Sequence, residues 1–198
     1  MKTTTSTVGD WKDADGKTLT DEGLYKWVKS SVENMDTEHE LIVGVDSHRH
    51  KKFFQFITVV CVYRKGRGGY YFYKKSVRPA SEFKGASYPM RVRARMFYEA
   101  TLALETAQSI FDNTEALPVI HLDASPSGGT EVTSAFSDEL NGYVVGCGFE
   151  CVLKPWAFVA SGIADKHSKS SCWVIPNTLN IGIPKEKVKN TITKEMRK

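Results

Sequence analysis

The chain of 198 residues has little cysteine, with four, and little proline, with seven. It also has no apolar run near the roughly 18 residues that a membrane span needs. The four thiols, Cys61, Cys147, Cys151 and Cys172, are too few and too apolar in context for a disulfide framework. Cys147 and Cys151 are spaced C-x3-C but lack the second Cys or His pair of a structural zinc site, so buried or free thiols are expected. The N-terminus Met-Lys-Thr-Thr-Thr has no apolar core of a secretion signal, and a cytoplasmic protein is expected. No internal repeat or low-complexity stretch is present. The length suits one domain with room for an appended element.

One kind of charge is also missing from a long stretch. Residues 47–95 hold thirteen Lys and Arg but a single acid, Glu82, for a net +12, whereas residues 1–46 sum to −5 and residues 184–198 to +4. Basic blocks of this density suit a polyanion, most often nucleic acid. Aromatics such as Phe53, Phe54, Tyr70, Tyr71 and Tyr88 interleave the bases and offer surfaces for base stacking. The plainer alternative is that Lys and Arg blunt an exposed sheet edge while the aromatics alternate into a core. The candidate nucleic-acid contacts are Arg49, Lys51 and Lys52, the hairpin residues Arg64, Lys65 and Arg67, and Lys154 further along.

Hydrophobic periodicity orders the rest. Residues 1–18 look like a polar arm, and Leu24, Trp27, Val28 and Val32 predict a helix over 20–35. Glu40 to Asp46 is a short apolar run ending in an acid, the mark of a strand buried on both faces. Strands at 53–63 and 69–77 follow, joined by a glycine-rich basic turn. Met96, Ala100, Ala103, Leu104, Ala107 and Phe111 stripe a helix from Met90 to Phe111. Pro118 to Asp123 repeats the apolar strand ending in aspartate. A helix over 130–140, a long strand over 142–153 and a helix over 156–167, with Trp156, Val159, Ala160 and Ile163 on one face, complete the order. Three antiparallel strands followed by parallel strand-helix units predict an α/β fold with a mixed five-stranded sheet and flanking helices.

In such a sheet the carboxyl ends of the first and fourth strands can lie side by side, which brings Asp46 and Asp123 together. Two adjoining carboxylates repel and raise each other's pKa unless a cation lies between them. Oxygen ligands of this kind suit Mg²⁺ or Mn²⁺, and a pair of such ions can hydrolyse a phosphodiester. A strand-ending aspartate also commonly caps a turn or the next helix, and that reading stands beside the first.

Four motifs resemble the YkuK-like family, assigned to the ribonuclease H-like superfamily: Gly44-Val-Asp-Ser47, Arg95-x3-Glu99, His121-Leu-Asp123 and Lys154-Pro-x4-Ala-Ser161-x3-Asp165-Lys166. The first strand of that family often reads Gly-Thr-Asp-Ser-Gln, and Val45 and His48 depart from it. The resemblance implies a ribonuclease H-like domain over 39–170, preceded by an arm and helix (1–38) and followed by a basic extension (171–198). It also implies an acidic quartet of Asp46, Glu99, Asp123 and Asp165 that holds Mg²⁺ or Mn²⁺ and is catalytic. Glu105 is the alternative to Glu99; six residues apart, the two differ by about 240° around the helix, so only one can face the site.

The function expected is metal-dependent hydrolysis of nucleic acid. The alternative is a non-catalytic module that binds RNA, DNA or a junction on the same fold. Sugar-kinase-type ATPases share the topology but need a glycine-rich phosphate loop after the first strand, where this chain reads Asp46-Ser-His-Arg-His-Lys-Lys52.

Overall fold

A computed structural model describes residues 10–33, 39–64 and 67–168. Lys65 and the basic extension over 171–198 lie outside the described residues, as does Cys172. Among the described residues no helix is long and apolar enough to cross a membrane.

The elements in chain order are β1 (Trp11–Asp13), β2 (Thr18–Leu19), α1 (Asp21–Glu33), β3 (His39–His50), β4 (Phe53–Arg64), β5 (Gly68–Pro79), α2 (Tyr88–Thr114), β6 (Val119–Leu122), α3 (Ser137–Gly146), β7 (Cys151–Val152) and α4 (Asp165–Ser168). A π-helical run, Val159–Ala164, leads directly into α4. The result is an α/β fold whose mixed seven-stranded sheet has the order β2-β1-β5-β4-β3-β6-β7. The strands β3, β4 and β5 form the expected antiparallel meander, and β6 and β7 add in parallel beside β3.

The expected five strands become seven because residues 11–19, read as arm, form an edge hairpin that pairs with β5. Trp11 anchors it: the ring is buried and Nε1 donates to Asp21 Oδ1 at 2.6 Å. Residues 142–153 also differ from the expected long strand. Leu140 and Val144 repeat at i, i+4 and are buried, so Tyr143-Val-Val belongs to α3, and strand remains only at Cys151–Val152. Trp156 is 72% exposed, since the last helical segment begins after it.

Helix α2 is longer than expected. Ser87 caps its start by accepting from Met90 N, and Glu115 at φ 60° ends it. Its stripe of Met96, Ala100, Ala103, Leu104 and Ala107 is buried, but Ile110 rather than Phe111 completes it.

Strand β3 is covered on both faces, and its alternation assigns each side chain. Leu41, Val43 and Val45 pack toward α2 with Phe56, Val60 and Met96. Ile42 faces the other way, onto Val159, Ile163 and Ala164. Between them Gly44 lets the π-helical run lie against the strand: a Cβ there would meet Ala160 N at 2.9 Å and Val159 Cγ1 at 2.9 Å. Gly44→Ala is therefore expected to destabilise the fold by about 1–3 kcal/mol through overpacking, seen as a lower urea midpoint with an unchanged m-value.

Candidate active site at the end of strands β3 and β6

The parallel register pairs Val45 with Leu122. One residue further along, Asp46 and Asp123 become neighbours across the roughly 4.8 Å strand spacing. Both continue the face of Gly44 and His121, on which the π-helical run and α4 lie. Ser168, the last residue of α4, donates from Oγ to Asp46 Oδ2 at 2.7 Å. Gln55 on β4 holds the same helix end through its Nε2, 3.3 Å from the carbonyls of both His167 and Ser168.

Ser47 faces α2 and donates from Oγ to Glu99 Oε1 at 2.6 Å. Arg95, one turn before Glu99, lies 3.4 Å from the same oxygen and donates from Nη1 to Ser47 O at 3.1 Å. Glu99 is buried while Glu105 is exposed, so α2 turns Glu99 to the sheet. Asp165 opens α4, half-buried, and its charge reaches Asp46.

Asp46 thus feels the charge of the three other acids. Burial raises its pKa to about 8, with the Glu99 charge the next cause; the Ser168 hydrogen bond opposes this, and Asp123 and Asp165 push upward again. Burial also raises Glu99, against the pull of Arg95 and Ser47 and with the Asp123 charge adding to the rise. Two cations answer the acids: Arg95 at Glu99, and Lys154, whose Nζ lies 3.0 Å from Asp123 Oδ1. That oxygen is buried and accepts no well-directed hydrogen bond, so Lys154 serves it as a charge alone. Four acids with two cations form a site of oxygen donors in which Asp46 stays protonated unless a further cation is bound, a donor chemistry that suits a hard divalent ion. Among the described residues, however, no three His, Cys, Asp or Glu side chains stand together closely enough to hold a metal ion.

The basic candidates divide. Arg49, Lys51 and Lys52 lie at the β3–β4 turn, beyond Asp46 along the same strand, and are exposed. Arg64 pairs with His39 at the start of β3, and Arg67 follows it in the next turn. These two are at the far end of the sheet, about 23 Å along β4 from the residue opposite Asp46. A contiguous basic block thus becomes two patches, because successive hairpin turns emerge at opposite sheet ends. Lys154 is committed to Asp123, with Glu131 4.0 Å away.

A family model described as Ribonuclease H-like matches residues 24–169. The chain belongs to the ribonuclease H-like family. No curated protein and no solved structure matches. Membership of the ribonuclease H-like family points to nuclease-like or nucleic-acid-binding function.

Sequence reasoning missed Ser168 and Gln55. A serine three residues after Asp165 and a glutamine on an apolar strand carry no signal of their own; only the packing of α4 across β3 and β4 gives them roles. His121 of the His121-Leu-Asp123 motif is a core histidine: it is buried, its Nδ1 accepts from Val159 N at 3.4 Å, and burial lowers its pKa to about 4.

The raised pKa of Asp46 sets a pH dependence. The folded protein holds this proton up to about pH 8 whereas the unfolded chain releases it near 3.8, so stability is lost as pH rises between these values. His121 and His167, both lowered to about 4, act oppositely but only below about 6.5. From pH 6.5 to 8 the metal-free protein should lose about 1.4 kcal/mol per pH unit through Asp46. Thermal melts in EDTA should show Tm falling over this range, and Asp46→Asn should flatten the fall.

Proposed function

We infer that the protein is a Mg²⁺- or Mn²⁺-dependent phosphodiesterase of nucleic acid, with motifs that resemble those of the YkuK-like group. The observation that carries this reading is the placing of buried Asp46 beside Asp123 at the ends of β3 and β6, within electrostatic reach of Glu99 and Asp165, with Arg95 and Lys154 as the neighbouring cations. Asp46, Glu99, Asp123 and Asp165 are the residues that would hold the ion, and they would have to draw closer together than they stand in this structure to do so; the ion would supply Lewis acidity and an activated water.

The chain's own residues prepare that chemistry. Ser168 fixes one oxygen of Asp46 by hydrogen bonding. Ser47 and Arg95 oppose the rise in the Glu99 pKa that its burial causes. Lys154 sets its ammonium 3.0 Å from Asp123 at the site's rim. The exposed Arg49, Lys51 and Lys52 lie on the approach and grip the phosphate backbone.

A second reading is a nucleic-acid-binding module without turnover. It is favoured by the engagement of three of the four acids by Ser168, Arg95 and Lys154 in this structure. A screen over single-stranded, duplex, hybrid and branched substrates with Mn²⁺ separates the two. The enzyme reading expects divalent-dependent cleavage. Asp46→Asn or Asp123→Asn should each lower it by more than the roughly 10- to 100-fold lost on removing an outer-shell partner of a metal. Salt-sensitive binding with no cleavage of any substrate decides for the module.

A further inference from the structure

Beside the carboxylates, on the α2 side of the sheet, lies a groove of about 320 Å³. Its wall is shared with the site: Ser47 and Arg95, both tied to Glu99, line it. Three guanidinium groups line it together, those of Arg49, Arg91 and Arg95, and no acid does. Arg91, Arg95 and Glu99 recur at intervals of four along α2, which puts the groove and the carboxylate on one helix face.

The groove also has aromatic surfaces. Phe83 is buried and fixed edge-on to Phe54 at 5.2 Å and against Tyr98 at 5.4 Å, so this part of the lining is rigid. Tyr88, the first residue of α2, is 63% exposed at the rim. Among the described residues the Arg49 side chain makes no hydrogen bond or ion pair, and the Arg91 side chain makes one long contact, to Gly85 O at 3.4 Å. Their charges are available to a ligand, whereas Arg93, between Arg91 and Arg95 in sequence, is engaged by Glu139.

We propose that this groove is a subsite for one unpaired nucleotide of a nucleic-acid strand, its phosphate held by Arg49 and Arg91 and its base stacked on Tyr88. The substrate class is single-stranded nucleic acid, or a duplex with an unpaired end. Guanidinium forks match phosphate oxygens, and a ring at the rim accepts any base. A concavity of this size takes a single nucleotide and excludes one locked in a base pair. From Arg49 the exposed Lys51 and Lys52 continue the positive track along the β3–β4 turn, which suits a continuing strand over a free mononucleotide. This assignment rests on the nucleic-acid reading of the neighbouring site, whose chemistry it would feed by delivering the adjoining phosphate to Asp46 and Glu99.

The test is fluorescence anisotropy of the full chain carrying Asp46→Asn, in EDTA, with labelled single-stranded and blunt duplex oligonucleotides of equal length. The expected result is preference for the single strand. Tyr88→Ala should weaken the single strand about 5- to 150-fold, the usual worth of one stacked base, and leave duplex affinity unchanged. Arg49→Ala and Arg91→Ala should each reduce the slope of log K against log salt by about 0.7 for the single strand. All three residues are exposed, and thermal melts check that the variants fold. Undetectable single-strand binding, unchanged affinity in the variants, or an equal loss for duplex with Tyr88→Ala overturns the subsite. Because metal is chelated throughout, absence of cleavage in the native protein leaves these outcomes untouched, and loss of the subsite leaves Asp46-dependent cleavage to be judged alone.

Discussion

Alternation along β3 is the constraint on which the rest depends. Asp46 and Ser47 are consecutive, so one faces the π-helical run and α4 while the other faces α2. The strand is sealed by packing on both sides, and its polar end must find partners in two separate layers. Ser168 answers on one side; Glu99 and Arg95 answer on the other. The carboxylates thus come from β3, α2, the end of β6 and α4, four places far apart in sequence, and the apolar strand β3 holds the other three in register.

The cost of this arrangement is electrostatic. Burying Asp46 and Glu99 disfavours their charged forms, and the neighbouring acids add to it. A chain selected only for stability would replace these groups by apolar ones. Gln55 is spent on fixing the carbonyls at the end of α4, and Gly44 gives up its side chain so that the π-helical run can approach. Local concessions of this kind collect at functional sites, where a ligand is the partner that resolves them. The groove beyond Ser47 fits the same logic with opposite sign, since three guanidinium groups converge there without an acid in the lining. Positive and negative sites share one wall, as a phosphodiester substrate with a charged backbone and a metal-assisted reaction would require.

Much of this was legible from the sequence by itself. Apolar runs ending in Asp46 and Asp123, the stripe of α2 and the meander of β3, β4 and β5 rest on local periodicity, so the strand order around the site and the choice of α/β class followed from it. The Glu99 position followed from resemblance and from helix geometry that let only one of Glu99 and Glu105 face inward. The errors had physical causes as well. A β-branched pair within Tyr143-Val-Val imitates a strand, yet its helical neighbours Leu140 and Val144 bury one face; Trp11 sits in a polar stretch, yet its large ring anchors an edge hairpin.

What only the tertiary structure decided is where like charges end up and who stands beside them. Net charge along residues 47–95 is a property of the chain, but the hairpins send Arg49 and Arg64 to opposite ends of the sheet, and α2 returns Arg91 and Arg95 to the first of these. Likewise Lys154 and Ser168 reach Asp123 and Asp46 across sequence separations that no local pattern encodes. Periodicity records which face of an element is apolar, because burial acts on every turn or rung. The pairing of individual polar groups is set by the crossing of elements, so it exists only once they have packed.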